Sequence, residues 1–265
     1  LYTKPNAYRD LVGIASRLNS DAFYFARNNN NDFKLFSTNS NNVDSYGFIT
    51  EKENFGFGIT KTTGVEQDSS HSIDYVADTV TLYKNYGNAF FGLGVTNTYF
   101  ENSTKTVMFG EGTSEVDALT FAFEVSYNQP LPYGFDATIG TRVQSTTIDN
   151  FLDEGDMLPL EYKKQRFNTN LLVAGVGYKT ATQRDGYVSY FHADVEHIRY
   201  IGKEGHLVNF SQGGTYTPTT VYNYDEQFTN VSLNVGIVVS DFVVNLSIAD
   251  RNNFKSTILS VGFNF

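Results

Sequence analysis

The chain has 265 residues, a net charge of −10, no Cys, no Trp and a mean hydropathy of −0.30. That acidity excludes nucleic acid as a partner, because phosphate binding needs clustered Lys and Arg. No run of about 18 apolar residues exists, which excludes a transmembrane helix, but not a transmembrane β-barrel, whose strands alternate lipid-facing and lumen-facing residues. The 22 Gly lie scattered inside apolar runs, among 23 Phe and 18 Tyr, which is unusual for a protein surrounded by water. The lack of Cys suits passage through an oxidising periplasm. The opening "LYTKPNAYRD" has neither the basic n-region nor the apolar h-region of a signal peptide, so a secreted form would be a mature one or a fragment.

The first periodic element is "PNAYRDLVGIASRLN" at 5–19, where Leu11, Ile14, Ala15 and Leu18 recur at helical spacing. Pro5 suits a helix start. At 1.5 Å per residue this helix is about 22 Å long. Everything after it has a period of two. The pattern predicts twelve strands, near 21–30, 43–50, 55–63, 72–83, 88–100, 116–128, 134–147, 166–179, 186–201, 226–239, 241–250 and 255–265. "DFKLFST" at 32–38 is an alternative for the first of them.

In "ALTFAFEVSYN" one face is Leu119, Phe121, Phe123, Val125 and Tyr127, and the other carries Thr120, Ala122, Glu124 and Ser126. In "FTNVSLNVGIVV" Val231, Leu233, Val235, Ile237 and Val239 oppose Asn230, Ser232, Asn234 and Gly236. A sandwich in water would carry many Lys and Glu on the polar face. Here that face is Gly, Ser, Thr and Asn, which suits a narrow hydrated or plugged interior. The apolar faces continue for about nine to eleven residues, the span of a tilted strand in a bilayer.

Connections alternate in length. Short turns lie at Glu51–Asn54, Lys84–Gly87, Gln129–Gly134, around Arg184–Gly186 and at Ser240-Asp241, and long polar segments at 62–72, 101–115, 148–165 and 202–225. Short turns on one side and long loops on the other is the pattern of an outer-membrane barrel. The sequence therefore predicts an all-β fold: a twelve-stranded antiparallel transmembrane β-barrel with an N-terminal α-helix in its pore. Residues 1–20 form the linker and pore helix, and 21–265 the barrel. In lipid every backbone group needs a partner, so the first and last strands must pair. That accounts for "TILSVGFNF", which alternates apolar residues up to Phe265.

From 118 to the end, the series "FEVSYNQPLPYGFDATIGTRVQSTTIDNF", "GYVSYFHADVEHIRY" and "TILSVGFNF" resembles the translocator β-domain of autotransporters, the type V secretion proteins of Gram-negative bacteria. A helix ahead of the first strand also resembles that family. Where the family carries a Trp in its first strand, this chain has Phe23 and Tyr24. The resemblance implies an outer-membrane protein that anchors and exports its own upstream passenger. It implies outer-membrane lipid, barrel assembly machinery and periplasmic chaperones as partners, a monomeric state, and no cofactor. It also makes the alternating end, Val261, Phe263 and Phe265, the C-terminal assembly signal. The alternative is a self-contained twelve-stranded channel or an outer-membrane enzyme.

The same alternation turns Glu124 and Arg142 inward on adjacent strands, as an ion pair or as a contact for whatever threads the pore. It puts His192, Asp194 and Glu196 on one lumenal face. Spacing of two places these three on one side, but no second His joins them from a neighbouring strand, so lumen polarity outweighs a metal site. Asp149, Asp153, Glu154, Asp156 and Glu161 form an acidic loop segment, more simply solvated than Ca²⁺-binding. No Gly-x-Ser-x-Gly is present, and "SSHSID" at 69–74 assembles no nucleophile with a base. No catalytic residue is expected. In the pore helix Leu11 packs, while Arg9, Asp10 and Arg17 face lumenal Glu124, Asp194 or Glu196. Gly92, Gly94, Gly140, Gly236 and Gly262 leave the helix its room.

Overall fold

The computed structural model describes residues 5–40, 42–67, 71–106, 110–153, 165–208, 217–251 and 254–265. Its elements are α1 (Pro5–Arg27), β1 (Phe33–Ser40), β2 (Val43–Lys52), β3 (Phe55–Gln67), β4 (His71–Tyr86), β5 (Ala89–Thr106) and β6 (Gly110–Pro130), then β7 (Phe135–Asp153), β8 (Gln165–Arg184), β9 (Tyr187–Val208), β10 (Thr217–Val239), β11 (Phe242–Arg251) and β12 (Phe254–Phe263). Among the described residues these twelve strands form one closed antiparallel barrel in sequence order. β1 pairs with β12 from Phe33↔Phe263 to Ser40↔Ser256, which removes both sheet edges.

The period of two sets the two faces. Along β10, Leu233, Val235 and Ile237 are 45 %, 55 % and 49 % exposed, while Ser232 between them and Asn230 is 0 % exposed. The same outward face carries Phe121, Phe123, Val143, Leu172, Val176, Leu246 and Ile248. A water-soluble monomer rarely exposes a contiguous apolar patch beyond a few hundred Å², whereas this one encircles the molecule. Lipid is the solvent it matches.

The short turns fall where the sequence places them. Glu53 and Asn54 both have positive φ, at 53° and 64°, the geometry of a two-residue turn that follows the twist of its strands. The segments expected as long loops are different. β6, β9 and β10 run 21, 22 and 23 residues, about twice the roughly 9–11 needed to cross a bilayer. Their polar ends stay in the ladder: β9 and β10 pair out to Val208↔Thr217. A polar residue satisfies the backbone ladder as well as an apolar one, so loss of alternating hydrophobicity marks the edge of the membrane and not the end of the strand.

The first strand needs a correction. Residues 21–27 are not strand: α1 continues to Arg27, and β1 lies at the alternative position, Phe33–Ser40. The helix has 23 residues, about 34 Å at 1.5 Å each, enough to run the depth of a roughly 30 Å hydrocarbon core. At the other end β12 stops at Phe263, two residues before the terminus.

Candidate functional site: the plugged lumen

The helix α1 lies inside the lumen and leans on the wall made by β3 to β7. Its direction follows from what it touches. Leu11, Val12, Ile14 and Leu18 pack in one apolar cluster with Ile73, Tyr75, Phe100, Val116, Ile148 and Phe167, all near the ends of strands that carry the longer connections. At its other end Asn29 donates to the Tyr83 hydroxyl at 3.1 Å, and Tyr83 donates to Glu51 at 2.9 Å, beside the β2–β3 turn. The chain thus enters the barrel at the turn end, and Pro5 lies toward the loop end.

Over the last two turns of the helix, a polar belt crosses between helix and wall. Arg142 on β7 donates through Nε to Glu124 on β6 at 2.9 Å, pairs with it again through its other nitrogen, and donates to Ser20 Oγ at 2.5 Å. Its guanidinium lies 4.6 Å from the Phe23 ring centroid. Arg27 stands between two carboxylates: its Nε is 3.0 Å from Glu124, and its terminal nitrogen donates to Glu196 on β9 at 2.9 Å. Two cations and two anions, all at least nine-tenths buried at the side chain, form a neutral chain from β7 through the helix to β9. Charges this deep require partners, and each has one across the helix–wall boundary or along it. Tyr24 shares a 2.8 Å hydrogen bond with Ser232 on β10, and Phe25 stacks on Phe36 at 4.2 Å.

Backbone must approach closely where Phe23 lies. A Cβ on Gly92 would stand 2.6 Å from Phe23, and one on Gly94 2.8 Å from Asn19 and 3.1 Å from Phe23. These two glycines accommodate the helix, and Gly262 accommodates Asn31 just after it. Gly140 and Gly236 instead face Ser126 and Tyr190 on neighbouring strands.

Of the residues singled out in sequence, Glu124, Arg142, Asp194 and Glu196 are buried in the lumen, and His192 lines a cavity with the two acids. Arg17 pairs with Glu66 on β3, not with Glu124, Asp194 or Glu196. The helix cation that reaches Glu124 and Glu196 is Arg27. Sequence reasoning missed it by assigning 21–30 to a strand. A signal was available: a basic residue in the last helical turn, followed by the run Asn28–Asn31. The side chains of Arg9 and Asp10 fall outside the described residues, as do those of Asp149, Asp153, Glu154, Asp156, Glu161 and His71. In the C-terminal signal, Val261 and Phe263 lie in β12, with the Phe263 ring 5.1 Å from that of Phe242. Phe265 is 95 % exposed, and its backbone N–H donates to Asp32 at 2.6 Å.

No protein-family model matches the chain, and no curated protein matches it in sequence. In three dimensions it is similar to the translocator domain of autotransporter NalP from Neisseria meningitidis, with a TM-score of 0.60 and 16% identity over 98% of this chain and 97% of that one. It is also similar to the β domain of the Bordetella autotransporter BrkA, with a TM-score of 0.55 and 9% identity over 88% of this chain and 98% of that one. At such identities the likeness is one of architecture. The chain therefore has the fold of an autotransporter translocator domain, a closed twelve-stranded barrel around an N-terminal helix.

Proposed function

We propose that this chain is the outer-membrane translocator of an autotransporter in a Gram-negative bacterium, which anchors an upstream passenger and delivers it to the cell surface. One observation carries the reading. The helix passes through the barrel from the turn end to the loop end, so any polypeptide preceding Pro5 leaves at the loop end, which is the outer face in barrels of this type.

On this reading the residues up to Arg27 belong to the connection between passenger and pore, and the barrel from Phe33 on is a monomeric anchor, not an enzyme. Glu124, Arg142, Arg27 and Glu196 hold the helix after export. Val261, Phe263 and Phe265 form the end recognised by assembly machinery, and Phe265 remains accessible for that role. The test is to place a signal peptide and an unstructured reporter ahead of Leu1. In intact cells the reporter should be cut by external protease. A barrel that inserts while its reporter stays protected would remove the export function.

A further inference from the structure

Because α1 leans on β3 to β7, a cavity of about 600 Å³ remains between the helix and the wall that runs from β7 through β12 to β1. Its volume is that of a small-molecule site, roughly 300–1,000 Å³. Phe25, Phe36, Val243 and Ile258 supply apolar lining. The charged groups lining it are only partly matched. Glu196 is taken up by Arg27 at 2.9 Å, and Asp136 by Lys179 at 3.7 Å. Two charges are left over. Asp194 on β9 is 9 % exposed, has no ion-pair partner among the described residues, and its Oδ1 accepts no hydrogen bond. Lys34 on β1 is also 9 % exposed; it donates to the Asn28 carbonyl at 3.0 Å and has no carboxylate partner among the described residues. An ammonium has three donors, so two remain. A buried charge without a partner is strongly unfavourable, and here two of opposite sign line one cavity. Between them in the order of the barrel stands β11, where the side-chain oxygens of Asn245 and Ser247 line the same cavity and also have no hydrogen-bond partner.

We propose that this cavity binds a short zwitterionic peptide, whose terminal ammonium pairs with Asp194 and whose terminal carboxylate pairs with Lys34. An anion alone would satisfy Lys34 and leave Asp194 bare, and a cation alone would do the reverse. A zwitterion satisfies both and leaves the net charge of the lumen unchanged. The amide groups of a peptide suit the wall between the two ends, since an N–H can donate to the Asn245 oxygen and the Ser247 hydroxyl can pair with either amide group. Small side chains of the peptide find the apolar lining. The site does not depend on the export function, and loss of either leaves the other standing.

The test is a calorimetric titration of the full chain in detergent micelles with alanine peptides of two to four residues, first with free ends. At least one length should bind one to one. For that peptide, an N-acetyl cap and a C-terminal amide should each weaken binding about tenfold or more, the loss expected when one side of a buried charge pair is removed. Asp194→Asn should weaken the free peptide to a similar extent and the acetylated peptide little further. Lys34→Met should stand in the same relation to the amide. Absence of binding by free peptides at millimolar concentration would overturn the site, and so would capped peptides that bind as well as free ones. Loss on acetylation with none on amidation would reduce it to an ammonium site and overturn the pairing with Lys34. The capped peptides act on the unmodified chain, so they decide the matter even where a variant does not fold.

Discussion

Arg142 and Glu124 are the most demanding residues in the molecule. Their side chains are 1 % and 0 % exposed, and Glu124 also faces Arg27. Glu124→Leu would leave both guanidinium groups without their shared carboxylate. Loss of one partner from a buried pair costs about 3–5 kcal/mol, so a urea titration in detergent should show a large drop in midpoint. Arg17→Ala removes a pair whose side chains are 39 % and 25 % exposed; solvent screening limits that loss to about 0–1 kcal/mol. Equal losses in the two variants would contradict the assignment of the belt as the anchoring site. Which residues of a strand face the lumen was legible, because one slip in register would have put Glu124 and Arg142 into lipid. Arg27 was not legible. Ala22, Phe23, Tyr24, Phe25 and Ala26 are all buried, because a helix inside a pore meets walls on every side and loses the one-sided period that identifies surface helices. An aromatic run of that kind also suits a strand.

At the level of elements, the fit of α1 against β5 is the contact to test. Gly94→Val would place methyl groups against Asn19 and Phe23, an overpacking expected to cost about 1–3 kcal/mol. Combined with Phe23→Ala, which vacates that space, the two losses should fall short of their sum, with a coupling of about 0.5–3 kcal/mol in a double-mutant cycle. Additive losses would mean that β5 and the helix are not in contact. The outer faces give a second comparison. Leu233→Arg, near mid-membrane, should cost about 2–4 kcal/mol in a lipid refolding titration, and Asn234→Arg much less, since Asn234 lines the cavity. Ser232 shares the inward face of Asn234 but is covered by Tyr24, so an Arg there is not a neutral control. That distinction was hidden from the sequence, which separates faces but does not say which part of the lumen the helix occupies. Strand extent was hidden too, because the polar outer halves of β9 and β10 carry no alternation to mark them.

For the whole molecule, closure and threading are separate matters. The backbone ladder from β1 to β12 closes without any contribution from α1, and Phe265 is tied to Asp32 at the start of β1. Deleting Phe263–Phe265 removes that tie and the last pairs of the closing ladder, Phe33↔Phe263 and Phe242↔Phe263. Insertion into the outer membrane of cells should then fail, whereas normal surface assembly of the truncated chain would show that the terminus is dispensable. The even number of strands and their antiparallel, sequential order were legible from turn chemistry and alternation. The depth of threading was not, since it depends on where a helix ends inside a cylinder the sequence specifies only one strand at a time. The central claim is that this helix lodges in and closes a pore that is otherwise open. Its most direct test compares the full chain with residues 28–265 in a planar bilayer, after both are shown to be folded. The shorter chain should conduct ions well above the full chain; equal conductance would mean that α1 is not the plug.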